Sequence, residues 1–357
     1  MLCEKLHNLF DQLGDARSVV QIMEVCGTHT MSIASSGLRS LLPTGLTLTS
    51  GPGCPVCVTD QAYIDQAVFL ARSGGAIIAT YGDMVRVPGS EGGLGDARAG
   101  GAEVEVVYSA DQAVTVAAEN PDKEVVFLAV GFETTSPGTA MAVLRASREG
   151  LDNFSILSSH KLILPAMRTL LAGGAAIDGF LCPGHVSVIL GWKAYEPIVR
   201  DYGTPCVVAG FDPGQVVAGL EEILAELIAE KPKACSVYPA VAERGNVEAL
   251  GVVDRVFTPC DAVWRALGEI PASGLKLRKQ FAGFDAAERF ELPVMESYQP
   301  AGCRCGEVIT GRCAPVDCGL FAGKCTPRSP VGPCMVSSEG ACAAAYKYER
   351  RSCRVDS

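Results

Sequence analysis

Eight short apolar runs, near residues 19–25, 46–49, 76–80, 104–108, 124–130, 154–158, 179–181 and 207–210, alternate with helix-length segments over the first two thirds of the chain. Unbroken apolar runs of this length are the mark of strands buried on both faces. Strand and helix in repeated alternation imply a parallel sheet with helices packed on its faces. The fold class expected is therefore α/β, as two Rossmann-like doubly wound lobes followed by a cysteine-rich C-terminal domain. Polar or sulfur-bearing residues follow several runs: Cys26, Cys54, Glu133, Lys161 and His185. In an open parallel sheet such strand ends converge on one crevice, the usual place for chemistry.

Between 110 and 125 these strand-end residues change from cysteine to glutamate and histidine. That change places one lobe at 1–115 and a second at 116–240, with 241–357 as a helical or irregular segment plus the cysteine-rich domain. Part of 240–300 is available to complete the first lobe. Locally, the pattern predicts a helix over 3–17, a helix over 31–42 capped by Thr28 or Thr30, and a helix from Thr59 or Asp60 to Arg72. The glycine-rich stretch 87–101 lacks the Lys-Ser/Thr of a phosphate loop and is expected to be a surface loop.

A net charge of −10 argues against a nucleic-acid partner, which needs a clustered basic surface. No run of about 18 apolar residues suggests a membrane span. The chain begins with an amphipathic helix pattern, so no secretory signal and a cytoplasmic location are expected. Sixteen cysteines are many for a reducing compartment, and half fall between Cys303 and Cys353. Metal or redox use is the expected reason.

Cys26 and His29 lie three apart across a strand-to-helix turn, where thiolate and imidazole can face one metal, or where His29 and a helix N-terminus can lower the thiol pKa. The plainer alternative is a buried cysteine and a capping histidine. Cys54-Pro55-Val56-Cys57 suits a reversible disulfide or half of a zinc site. Residues 58 to 181 contain no cysteine to complete the zinc site, which favours redox or catalytic metal use. Glu133 is a candidate base or anchor, or an acid in the first turn of a helix. His185 is a candidate site residue or a helix cap. In the tail, Cys303, Cys305, Cys318, Cys325, Cys334 and Cys342 admit a disulfide framework, a zinc ribbon or an iron-sulfur cluster. Compartment disfavours the first, and the lack of paired C-x-x-C disfavours the second. Irregularly spaced thiolates suit a [4Fe-4S] cluster.

The stretches Cys26-Gly27-Thr28-His29-Thr30, Gly51-Pro52-Gly53-Cys54-Pro55-Val56-Cys57, Gly131-Phe132-Glu133-Thr134-Thr135, Pro183-Gly184-His185-Val186-Ser187 and Cys334 through Cys342 together resemble the HypD family of [NiFe]-hydrogenase maturation proteins. The resemblance runs from the first strand to Tyr348. It implies two α/β lobes plus a [4Fe-4S] domain, serving as scaffold for the Fe(CN)2CO unit of the hydrogenase active site. It implies a HypC-type small chaperone and a HypE-type cyanide donor as partners. By motif, Cys26 is the ligand of the iron under assembly and His29 its neighbour, Cys54 and Cys57 form an electron-passing dithiol, and Glu133 and His185 line the same cleft. For the cluster, Cys305, Cys318, Cys325 and Cys342 are the expected ligands. Cys303 and Cys334 are left to replace one of these or to form a redox pair, and Cys313 and Cys353 are stragglers. The competing function is an iron-sulfur thiol-disulfide oxidoreductase acting on a protein substrate, with Cys26 a bystander.

Overall fold

The computed structural model describes residues 3–14 and 17–349. Among the described residues nine parallel strands form two sheets. The first sheet contains β1 (Val20–Glu24), β2 (Leu46–Ser50), β7 (Gly179–Cys182), β8 (Cys206–Val208) and β9 (Ala234–Ser236), in the order β2-β1-β7-β8-β9. The second contains β3 (Ala76–Thr80), β4 (Val104–Val106), β5 (Glu124–Gly131) and β6 (Phe154–His160), in the order β4-β3-β5-β6. Every residue of β3 is buried, and every residue of β5 after Glu124, as the unbroken apolar runs require for strands covered on both faces. All pairings within these sheets are parallel.

The sheets do not divide at 115. The 1–115 segment supplies β1 and β2 to one sheet and β3 and β4 to the other, and the 116–240 segment is split in the same way. The chain leaves the first sheet after the Cys54 loop and returns at β7. The nature of a strand-end residue carries no information about which strand lies beside it, so the change in motif style misplaced the boundary. β9 was not foreseen, its Ala234-Cys235-Ser236 offering no run of large apolar residues.

Residues 240–300, expected to be helical or irregular, contain an antiparallel hairpin of β10 (Phe257–Trp264) and β11 (Gly268–Leu277). Pro259, Pro271 and Gly274 read as strand breakers, but an isolated two-stranded ribbon tolerates them at edges and irregularities. The hairpin joins the lobes. Arg265 donates its backbone N–H to Val58 O at 2.9 Å and its Nε to Thr59 O at 3.0 Å, while Trp264 packs on Phe132.

Smaller differences concern helix ends. The first helix is Glu4–Gln12, shorter than 3–17. Within 87–101 a short helix forms at Leu94–Ala99, with the Asp96 carboxylate accepting from Gly93 N–H at 2.8 Å. Asp60 caps Gln61–Ser73 as one of the two expected candidates. The helix after β1 is Gly27–Ser36, ended by Gly37 in the left-handed region, so Cys26 itself occupies the N-cap position in place of Thr28 or Thr30.

Candidate functional site

Each sheet has one place where strand order reverses: between β1 and β7 in the first, between β3 and β5 in the second. Loops leaving the carboxyl ends on either side of such a point diverge and open a crevice. Here the two crevices face each other. Cys26 after β1 and His185 after β7 meet Tyr81 after β3 and Phe132 after β5 around a single cleft of about 320 Å3, closed on another side by Glu339 of the tail.

Cys26 is held tightly. Its backbone N–H donates to Glu24 Oε2 at 3.0 Å, and Thr30 Oγ1 donates to the other oxygen of the same carboxylate. Gly53 packs against this turn so closely that a Cβ there would lie 2.2 Å from Cys26 N, which explains a glycine in the loop before Cys54. Burial pushes the Cys26 thiol up to about 12, and nearby Glu339 and Glu24 add to this against the backbone N–H groups of His29 and Thr28. The helix N-terminus was expected to favour the thiolate. It does act in that direction, but burial outweighs it.

His29 does not face the cleft. It is fully buried on the far side of its helix, its Nε2 donating to Gly210 O at 3.0 Å and its ring 5.0 Å from Phe211. Burial lowers it to about 4, so the ring is neutral; with Nε2–H engaged, Nδ1 is an acceptor and is unpartnered. The imidazole that reaches the cleft is His185, packed 4.2 Å from the same Phe211 ring. Glu133 also lies behind the wall: Oε1 accepts the Ile163 N–H at 3.0 Å, Oε2 is unpartnered, and burial raises the carboxyl to about 7. Its neighbours Phe132 and Thr134 line the cleft instead.

Cys54 caps the short helix Pro55–Val58, accepting the Cys57 N–H on its sulfur at 3.2 Å. Both are buried. Burial holds the Cys57 thiol well above the usual range, opposed by a hydrogen bond with Cys334. Cys334 in turn meets Cys305, sulfur to sulfur, at 2.7 Å. A line of thiols therefore runs from beside the cleft into the tail.

The six tail cysteines, Cys303, Cys305, Cys318, Cys325, Cys334 and Cys342, surround one pocket otherwise walled by apolar groups such as Leu320 and Met335. An all-thiol donor set with apolar walls fits the soft-ligand demand of an iron-sulfur cluster. Cys313 stands apart, its thiol donating to Ala314 O beside a different cavity. Cys353 lies outside the described residues.

Two site residues had escaped the sequence reading. Glu24 was hidden inside the apolar run 19–25, although its position two before Cys26 was a signal. Glu339 lies between Cys334 and Cys342 in a motif read only for its sulfurs. Thr28 Oγ1 donates to Glu339 Oε1 at 2.7 Å, fastening the tail to the Cys26 turn.

Fold and site together define a class: a two-sheet parallel α/β protein with a cysteine-centred cleft and an attached thiol-rich domain. A family model described as "HypD: Hydrogenase formation hypA family" matches residues 1–349. A putative hydrogenase expression/formation protein of Methanocaldococcus jannaschii is 41% identical over 98% of this chain and 98% of its own length. The hydrogenase maturation factors HypD of Azotobacter vinelandii and Escherichia coli are 43% and 42% identical, each over 94% of this chain and 91% of their own length. The chain belongs to the HypD family of hydrogenase maturation factors. Among the described residues no helix is long and apolar enough to cross a membrane.

Proposed function

We propose that this protein is a cytoplasmic scaffold on which the Fe(CN)2CO unit of a [NiFe]-hydrogenase is assembled, with a HypC-type chaperone and a HypE-type cyanide donor as partners. The observation that carries this reading is the position of Cys26, the one cysteine among the described residues that lines the cleft where both strand-order reversals meet. The iron is cargo. Cys26 supplies a protein thiolate to it, and binding displaces a proton that burial otherwise keeps on the sulfur. The Thr28 and His29 N–H groups then stabilise the resulting anion, and His185 offers the imidazole within the cleft.

Cys54 and Cys57 act as a dithiol. Forming one S–S bond between them would release two protons and two electrons, taken up by an electron-accepting, cyanide-bearing group delivered to the cleft by the donor partner. The contacts Cys57 to Cys334 and Cys334 to Cys305 support restoration of the dithiol by exchange, in which a thiolate attacks a neighbouring disulfide, one S–S bond forms and another breaks.

A [4Fe-4S] cluster in the tail pocket would supply one-electron chemistry. Sulfur contacts link Cys303 to Cys305, Cys305 to Cys334 and Cys334 to Cys342, and the 2.7 Å separation of Cys305 and Cys334 singles these two out as the exchange pair, so the place of Cys305 in the expected ligand set passes to Cys303. The proposed ligands are Cys303, Cys318, Cys325 and Cys342, all on the same pocket.

The test is iron stoichiometry in protein purified anaerobically with the small partner. Iron beyond the cluster, lost in Cys26→Ala while acid-labile sulfide is unchanged, supports the scaffold. Equal iron in both proteins supports the thiol-disulfide oxidoreductase.

A further inference from the structure

We propose that Phe211 is the positioning residue for the His185 imidazole in the Cys26 cleft, and that His29, which does not reach the cleft, acts on it through Phe211. The scaffold reading enters only for what the imidazole does there, not for how it is held.

His185 is exposed at the start of the short helix after β7, and it lines the cleft. Its ring nitrogens make no hydrogen bond or ion pair among the described residues. A functional imidazole is ordinarily aimed by a hydrogen bond through its second nitrogen. Here a ring face takes that part: Phe211 packs on His185 with 4.2 Å between centroids and 32° between planes. Without such a contact an exposed side chain is free to move among its rotamers. Because the contact engages the ring face, both nitrogens stay free, one as donor and one as acceptor in the neutral ring.

Phe211 follows β8, the neighbour of β7, and is itself fixed from the helix Gly27–Ser36 that Cys26 caps. Two residues three apart, and so on one face of that helix, hold the loop backbone. His29 Nε2 donates to Gly210 O at 3.0 Å, and the Ser32 hydroxyl donates to Phe211 O. The His29 ring also packs 5.0 Å from the Phe211 ring, and Tyr238 meets it edge-on at 6.0 Å. On the other side, a Cβ on Gly184 would lie 2.9 Å from Phe211 Cζ and 2.8 Å from Ala209 O, so a glycine before His185 lets the ring come close. Phe211 is thereby clamped between two imidazoles. One helix registers the Cys26 thiol and, through Phe211, the His185 ring, although the two side chains follow different strands. On the scaffold reading, that ring offers an N–H to a cyanide nitrogen on iron held by Cys26.

The test is proton–carbon NMR of the full-length protein labelled in its four histidines, at one fixed pH, with signals assigned by substitution. In the parent, the His185 ring protons are expected upfield of those of exposed His7, because they lie over the Phe211 face. Phe211→Leu should lose this upfield shift. His29→Leu, which cannot donate to Gly210 O, should displace the His185 signals, whereas His29→Gln, which keeps a donor, should restore them. His185 signals at unstacked positions in the parent overturn the proposal even if no variant folds. So do signals unmoved by Phe211→Leu, or displaced as far by His29→Gln as by His29→Leu. Infrared spectra of the complex with the small partner give a second readout. Phe211→Leu and His185→Ala should shift the cyanide bands alike, with no further shift in the double variant. Additive shifts mean that Phe211 acts apart from His185 and overturn the proposal. Cyanide bands missing from the parent complex refute the scaffold reading instead, and the NMR result then decides the positioning.

Discussion

Thr28 and Glu339, separated by 311 residues, share a hydrogen bond of 2.7 Å at the rim of the cleft that holds Cys26. Beneath it, a Cβ on Gly27 would lie 2.5 Å from Glu339 Cβ, so tail and cleft turn are in direct contact. The thiol-rich domain is thereby fastened to the first turn of the helix that Cys26 begins.

This contact predicts the order of two substitutions. Gly27→Ala forces the tail away and should cost about 1–3 kcal/mol, as overpacking does. Thr28→Val removes only the hydroxyl and should cost about 1 kcal/mol. Denaturant unfolding of the two variants checks the ranking, and a Gly27→Ala protein as stable as the parent contradicts the contact.

Glu133 gives a pH dependence. Its carboxyl rises from 4.5 to about 7 on burial, so the folded state retains a proton that the unfolded chain loses. Its favourable contribution is full below 4.5 and is lost as pH rises through about 7. Glu133→Gln keeps an acceptor for Ile163 N–H without this loss. Relative to the parent, its melting temperature should therefore be higher at about pH 8 than at about pH 5. A difference independent of pH would mean that Glu133 is ionised in the folded protein.

The paired sulfurs of Cys305 and Cys334 make the cluster ligands separable. Cys303→Ser should lose the brown colour and most acid-labile sulfide, whereas Cys305→Ser should retain both. The reverse result would restore Cys305 to the ligand set.

Much of the fold was legible because burial on both faces writes a parallel strand as an unbroken apolar run: β3 is found at the predicted 76–80, and β1, β2 and β5 lie within a residue of their predictions. Sheet membership was not legible, since parallel neighbours are chosen by crossover connections rather than by the strand itself. The hairpin was hidden by its prolines. Cys26 and His185 line one cleft, whereas His29 and Glu133 face inward. Spacing along a turn brings a residue to a site without fixing which side of the helix carries its side chain. Glu339 was out of reach because its role depends on a contact between the two ends of the chain.

The most direct measurement is infrared spectroscopy of the anaerobic complex with the small HypC-type partner, comparing the parent with Cys26→Ala. The scaffold account predicts cyanide and CO stretching bands in the parent and their loss in the variant, with the cluster absorption unchanged. Bands of full intensity in Cys26→Ala would place the iron elsewhere and contradict the account.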